Sequence, residues 1–273
     1  MEEILGGMCD AARRAGRVIL EEDGHLRSVH SKGGHANLVT EVDSRVQRQL
    51  IRELSQLLPQ ARFIGEEEGQ DLFVREDARG YAFCIDPIDG TVNYVKGYRP
   101  SMVSIALLKD GRPFMAAVYQ PFDDLMFTAV RGQGAFMNGE RLSSSEDPLS
   151  DSLCIFGSAI YYTELLEDSV QLMKEYMTRC LDIRRSGSAA NDLCAMARGV
   201  AGVFFELRLG LWDFAAAGLV ATEAGCRLTD IRGRELTYDG PSSVLCVSRG
   251  VAREAYLPRT PLRSLETAKE EQP

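Results

Sequence analysis

The sequence predicts a layered α+β architecture, and three observations predict it. Apolar residues recur at helical spacing over residues 2–57. Strand-like runs separated by turn signals follow to residue 137. The second half then mixes helices and strands without a regular βαβ rhythm, which argues against a Rossmann sheet.

Each element has a local signal. Ile4, Met8, Ala12, Ala15 and Ile19 predict an amphipathic helix over 2–22 that ends near Gly24, followed by a loop over 24–37. A second helix is expected from near Asp43, with Val46, Leu50, Leu54 and Leu57 on one face. Ser44 and Gln47 have capping-box spacing, and Pro59 stops the helix. Residues 61–65 read as a short strand running into Glu66-Glu67-Glu68. Residues 81–85 read as a mostly apolar strand that Asp86 leaves. Runs 102–108 and 114–119 flank Asp110-Gly111, a hairpin signal. Strands are also expected at 125–130 and 135–137. Beyond Asp147-Pro148-Leu149-Ser150, the candidate hinge, strands read at 154–157, 203–207 and 244–248 and helices at 163–180, 189–198 and 213–224. The expected division is an N-terminal half over 1–148, a C-terminal half over 149–258, and a disordered tail over 259–273. That charged, proline-containing tail is expected to fray from Pro258 onward.

Composition bounds the function. With 273 residues the chain can bury a substantial core, and a formal charge of −9 argues against a nucleic-acid backbone as a direct partner. An acidic protein acting on an anion needs metal ions to reverse its local field. The acidic start Met1-Glu2-Glu3 does not resemble a signal peptide, and no run approaches the ~20 apolar residues of a membrane span. Seven scattered cysteines without a CxxC pair read as reduced core thiols of a cytoplasmic protein.

The stretch Cys84-Ile85-Asp86-Pro87-Ile88-Asp89-Gly90-Thr91 delivers two carboxylates into a rigid turn. Two like charges 4 Å apart repel by about 4 kcal/mol at an effective dielectric near 20, so a chain that forces them together commonly holds a cation between them. Alone, the pair leaves a metal site and a plain turn equally open. Glu66 to Glu68 reads as a site or a solvated charge run, and Asp213 as a site acid or a helix cap. Gly90 permits close approach of a ligand, and the Thr91 hydroxyl can orient a water. Ser186-Gly187-Ser188-Ala189 opens a helix and reads as ligand-binding or as an ordinary cap.

Glu66-Glu67, Asp86-Pro87-Ile88-Asp89-Gly90-Thr91-Val92-Asn93 and Trp212-Asp213-Phe214-Ala215-Ala216 stand in the order and spacing of the inositol monophosphatase family, which the sequence resembles from its first helix to Val247. Asn37-Leu38-Val39-Thr40-Glu41-Val42-Asp43 matches the upstream segment of that family. The resemblance implies a layered α/β/α/β/α sandwich, Mg²⁺-dependent and lithium-sensitive phosphate monoester hydrolysis, and a homodimer. It implies Glu66, Asp86, Asp89, Asp213 and the Ile88 carbonyl as ligands of two or three Mg²⁺ ions. Thr91, Glu66 and Asp43 are implied as the water-activating group, and Gly90 and Thr91 as phosphate contacts. Gly187, Ser188, Ala189 and Glu206 are implied as contacts to the alcohol, and Lys32 as the loop lysine that completes the site. Hydrolysis is expected by direct in-line attack of a metal-activated water, with no covalent intermediate.

The expected substrate is a small phosphorylated polyol or sugar, inositol 1-phosphate first, with no nucleic acid or membrane partner. Glu206 favours a polyol, because a carboxylate accepts hydrogen bonds from hydroxyls. The alternatives are fructose-1,6-bisphosphatase, histidinol-phosphatase, NADP phosphatase or 3′-phosphoadenosine 5′-phosphate phosphatase activity. A bisphosphate or nucleotide needs extra basic residues, for which Arg184, Arg185 and Arg208 are candidates. A second alternative is a regulatory binding protein on the same fold. Asn37 replaces a common family aspartate and Tyr94 a phenylalanine. His25, His30 and His35 read as a solvated loop, Trp212 as an interior anchor, and Met102, Met115, Met126 and Met137 as core filling or an interface seam.

Overall fold

The computed structural model describes residues 1–23, 29–31, 38–67 and 79–262, with backbone alone for residues 29–31, 38 and 39. Lys32, Asn37, His25 and His35 lie outside the described residues, as does the His30 side chain.

Helix α1 (Glu2–Glu22) buries Met8, Ala11, Ala12, Ala15 and Ile19 along one stripe, as the spacing predicts. Within the expected loop, Val29–Ser31 (β1) pairs antiparallel with Leu38–Thr40 (β2). Three-residue strands are too short to show a period of two. Helix α2 (Glu41–Leu57) begins two residues before Asp43, because Thr40 supplies the cap and Ser44 does not. The Thr40 hydroxyl accepts the Val42 and Asp43 N–H groups at 3.2 and 3.3 Å, and the Asp43 carboxylate accepts the Thr40 N–H at 2.8 Å.

A seven-stranded sheet follows: β3 (Arg62–Gly65), β4 (Tyr81–Asp89), β5 (Met102–Lys109), β6 (Arg112–Gln120), β7 (Leu125–Val130), β8 (Gly134–Met137) and β9 (Glu140–Arg141), in that spatial order. β3 and β4 are parallel and the other pairs antiparallel. Helix α3 (Thr91–Lys96) leaves the end of β4. Asp110 and Gly111 turn the β5–β6 hairpin at φ 51° and 76°, the double left-handed turn their sequence predicts.

Leu149–Asp151 forms a 3-10 turn into a five-stranded sheet ordered β11-β10-β12-β14-β13. Its strands are β10 (Leu153–Phe156), β11 (Asp182–Arg184), β12 (Val203–Leu209), β13 (Arg227–Thr229) and β14 (Ser242–Val247). Helix α4 (Leu166–Met177) joins β10 to β11. Helix α5 (Ala189–Ala197) and helix α6 (Leu211–Glu223) flank β12 in the chain.

Alternation along the strands sorts side chains into layers. Phe83, Ile85, Val103, Ile105 and Leu107 pack against α1 and α2, while Ala82, Cys84, Ala106 and Leu108 face α5 and α6. Phe204 and Cys246 meet the same two helices from the second sheet. Val203, Phe205 and Leu245 point outward to Leu172 and Tyr176 of α4. The order is therefore helices, sheet, helices, sheet, helix. Helix α6 lies between the sheets and is apolar on every face from Phe214 to Ala221, with Ala215, Ala216, Ala217 and Ala221 fully buried.

Met102, Met115 and Met126 are core residues, and Met137 is partly buried against the same core layer as Met102. All seven cysteines are free thiols. The chain does not fray at Pro258. Arg259 and Thr260 donate their N–H groups to the Glu175 carboxylate at 2.8–3.0 Å, and Leu262 is buried. Residues 263–273 lie outside the described residues. Among the described residues no helix is long and apolar enough to cross a membrane.

The small side chains of α6 are what let two sheets close on one helix. Ala216→Leu is expected to lower stability by about 1–3 kcal/mol through overpacking, seen as a lower urea midpoint. An unchanged midpoint would show that this layer has slack.

Candidate active site

The site begins with an irregularity in β4. Asp86 pairs with Ser104 of β5 and Asp89 with Met102, so three steps on one strand oppose two on the other. In a regular strand, residues three apart point to opposite faces. The extra residue resets the alternation and brings both carboxylates to one side. Asp86 does not leave the sheet, contrary to the sequence reading, since β4 runs through Pro87 to Asp89.

Each acid is oriented by backbone donors. Asp86 accepts the Ile88 N–H at 3.0 Å. Asp89 accepts the Ser188 hydroxyl at 2.5 Å and the Ala190 N–H at 2.7 Å, which places it at the N-terminus of α5. Asp213 accepts the Gly210 N–H at 2.7 Å in the first turn of α6. Asp213 thus closes the capping box of its helix and also lies in the acid cluster. One carboxylate oxygen from each of Asp86, Asp89 and Asp213 lies within 4.8 Å of the others. Asp86 and Asp89 are buried and Asp213 is half-buried. Glu66 follows β3 directly beside Asp86 and hydrogen-bonds with it.

Asp43 lies behind this cluster, fully buried. Its carboxylate accepts the Thr40 hydroxyl at 2.5 Å and the Thr91 hydroxyl at 3.2 Å. Thr91 also lies 3.0 Å from the Ile88 carbonyl. Gly90 makes the turn between them at φ 90°, where a Cβ would sit 3.1 Å from the Pro100 carbonyl and 3.2 Å from the Ser188 side chain. Asn93 bonds the Ser186 carbonyl at 2.9 Å and so ties α3 to the loop before α5.

A cavity of about 250 Å³ opens over these groups. Glu66, Asp86, Ile88, Asp89, Gly90, Thr91, Gly187, Ser188, Ala189, Glu206 and Asp213 all line it. Glu206 reaches it from β12, bonds the Ala159 N–H at 3.1 Å, and lies against Gly157, where a Cβ would collide with the carboxylate. Of the residues implied by the resemblance, Asp43 stands behind the lining and Lys32 lies outside the described residues.

Several lining residues carry no local signal. Tyr161, Tyr162 and Asp192 line the cavity, and Trp212 is half-buried in its wall where the sequence reads an interior anchor. Arg185 and Arg208 line the cavity, while Arg184 pairs with Asp182 at the surface and does not.

Burial and mutual repulsion govern the charges. Burial, then Glu66, Asp89 and Asp213, push Asp86 well above the usual carboxylate range. Burial, then Glu66 and Asp89, does the same to Asp213. Burial raises Asp89 to about 6 against the opposing bonds from Ser188 and Ala190. Burial likewise raises Asp43, lifts Glu206 to about 7 and lifts Asp192 to about 8. Oxygen donors converging in a buried group are a donor set for a hard divalent cation.

The chain belongs to the inositol monophosphatase family, which it matches over residues 1–261. It is 37% identical over 225 residues to the Nus factor SuhB of Salmonella typhimurium, covering 82% of this chain and 83% of that protein. It is 34% identical over 245 residues to inositol monophosphatase 1 of Sus scrofa, covering 85% of each chain. The crystal structure of the extragenic suppressor protein suhB from Bartonella henselae superposes with a TM-score of 0.83 at 31% identity, covering 90% of this chain and 94% of that one.

Carboxylates with raised pKa bind more protons folded than unfolded, so the metal-free protein loses stability as pH rises from the ordinary carboxylate range through about 6 to 8. A divalent cation held by Asp86, Asp89 and Asp213 would displace the protons that burial and mutual repulsion keep on those three. Melting temperatures taken near pH 5.5 and pH 8 should show Mg²⁺ stabilising more at the higher pH. Equal effects at both values would contradict a cation held by these acids.

Proposed function

We propose that this protein is a Mg²⁺-dependent phosphate monoester hydrolase acting on a small phosphorylated polyol or sugar, with inositol monophosphate the best single substrate. The observation that carries the reading is the trio Asp86, Asp89 and Asp213, with oxygens within 4.8 Å, at the wall of a cavity that also contains Glu206. The same family includes the pig protein named inositol monophosphatase 1.

Those three acids, with Glu66 and the Ile88 carbonyl, would hold the metal. When bound, two or three Mg²⁺ ions would reverse the acidic field, lower the pKa of water and stabilise the leaving alkoxide. Thr91 acts on the attacking water. When its hydroxyl donates to Asp43, its lone pairs are turned outward to accept from a water aimed in line at phosphorus. Glu66 is placed to draw off the proton. Backbone at Gly90 and Thr91 contacts the phosphate. Gly187, Ser188, Ala189 and Glu206 contact the alcohol, the second Glu206 oxygen accepting from a hydroxyl. Lys32 is proposed to complete the site from its loop. Li⁺ sensitivity, a homodimer and a cytoplasmic location complete the proposal, the last supported by seven free thiols.

The relatives named Nus factor SuhB favour one second reading, a regulatory binding protein that uses its surface. Cells carrying only Asp86→Asn protein separate the two, since a binding role survives loss of hydrolysis.

The direct test is phosphate release from inositol 1-phosphate, fructose 1,6-bisphosphate, histidinol phosphate, NADP and 3′-phosphoadenosine 5′-phosphate, with and without Mg²⁺. Turnover should require Mg²⁺. Asp86→Asn, Asp89→Asn or Asp213→Asn should each reduce it by roughly 100-fold or more with the fold retained. A variant with near-normal turnover would remove that residue from the site, and no release from any ester would overturn the hydrolase reading.

A further inference from the structure

The segment from Asp86 to Asn93 supplies acids, a turn and a threonine to the proposed reaction, and ends on a residue that the reaction leaves without a task. Asn93 lies in α3, is 6% exposed, and stands outside the cavity lining. Its side-chain amide donates to the Pro100 carbonyl at 2.8 Å and to the Ser186 carbonyl at 2.9 Å. An amide nitrogen has two protons, so neither is left for a ligand. The side chain is a bracket between the segment after α3 and the segment before α5.

That bracket grips one end of the arc Ser186-Gly187-Ser188. At the other end the Ser188 hydroxyl donates to Asp89 at 2.5 Å, and the Ser188 N–H returns to the Ser186 hydroxyl oxygen at 3.1 Å. Asp89 and Asn93 are four residues apart, with Gly90 between them. One short stretch leaving the seven-stranded sheet therefore holds both ends of an arc that leaves the five-stranded one. Within the arc Gly187 adopts φ 84°, and a glycine has little preference of its own to stay there. A Cβ on Gly187 would lie 3.0 Å from the Asn93 side-chain oxygen, so the amide and the glycine are in close contact. The Gly90 turn keeps anchors that do not involve the Asn93 side chain. The Ser101 hydroxyl donates to the Gly90 carbonyl at 3.2 Å, and the Tyr94 hydroxyl to the Ile19 carbonyl at 3.0 Å.

We propose that Asn93 is a positioning residue for substrate selection, setting the distance between the Gly90 turn that takes the phosphate and the Gly187 arc that takes the alcohol. This rests on the hydrolase reading and adds to it the element that measures one portion of the substrate against the other. A polyol ester bound at both places is sensitive to that distance. An ester whose alcohol offers the arc no hydroxyl is not. Asn93→Leu keeps the side-chain volume and removes both donated protons, so the Ser186 carbonyl loses its tie.

The test is kcat and KM of the full-length protein at saturating Mg²⁺ on two esters. One is inositol 1-phosphate, or the polyol or sugar ester that the protein prefers, and the other is 4-nitrophenyl phosphate. Asn93→Ala and Asn93→Leu should each raise KM for the first ester about tenfold, with kcat changed less than about threefold. On 4-nitrophenyl phosphate kcat/KM should stay within about twofold of the wild-type value. Because the two esters are compared within one preparation, partial misfolding cancels. Equal losses on both esters, or an unchanged KM for the first ester in both variants, overturn the positioning role alone. No hydrolysis of any ester by the wild-type protein overturns the hydrolase reading and the positioning role with it.

Discussion

Three carboxylates held against their mutual repulsion are the constraint around which this molecule is organised. A pair of such charges about 4 Å apart repels by about 4 kcal/mol at an effective dielectric near 20, and burial adds to this. The protein holds the trio from separate elements. Asp86 and Asp89 come from β4 and Asp213 from α6, and each is tied to a backbone N–H or helix N-terminus. The two α helices whose first turns face the acids are packed between the two sheets. Their small side chains, Ala189 and Ala190 in α5 and Ala215 to Ala217 in α6, let both sheets approach.

The extra residue in β4 is the local expression of the same constraint. Without it Asp86 and Asp89 would face opposite sides of the sheet. Pro87 lacks the N–H that a regular ladder would use there, so the irregularity and the proline suit each other. Asp43 shows the fold serving two needs at once. It closes the capping box that starts α2 and also receives the Thr91 hydroxyl.

Much of this was legible in the sequence, for physical reasons. The long elements are amphipathic or alternate cleanly, so α1, the β5–β6 hairpin and β7 fall where the periodicity puts them. β1, β2, β9, β11 and β13 have two or three residues each, too few to show a period, and β11 and β13 also owe their pairing to partners distant in sequence. The start of α2 was misread because two capping signals stand four residues apart, Thr40 and Ser44. In the site, the acids and the Gly90 turn are contiguous motifs. Tyr161, Tyr162, Asp192 and the stacked Arg208 become site residues only when β10, α5 and β12 converge, which no local pattern reports.

The central claim, that the acid trio is a cation site, is tested most directly by anomalous diffraction from crystals grown with Mn²⁺ in place of Mg²⁺. A strong anomalous peak is expected within coordination distance, about 2.2 Å, of Asp86, Asp89 and Asp213, and its loss is expected in Asp89→Asn crystals. Well-ordered carboxylates without a peak at millimolar Mn²⁺ would contradict it and leave the cluster as a buried hydrogen-bonded network.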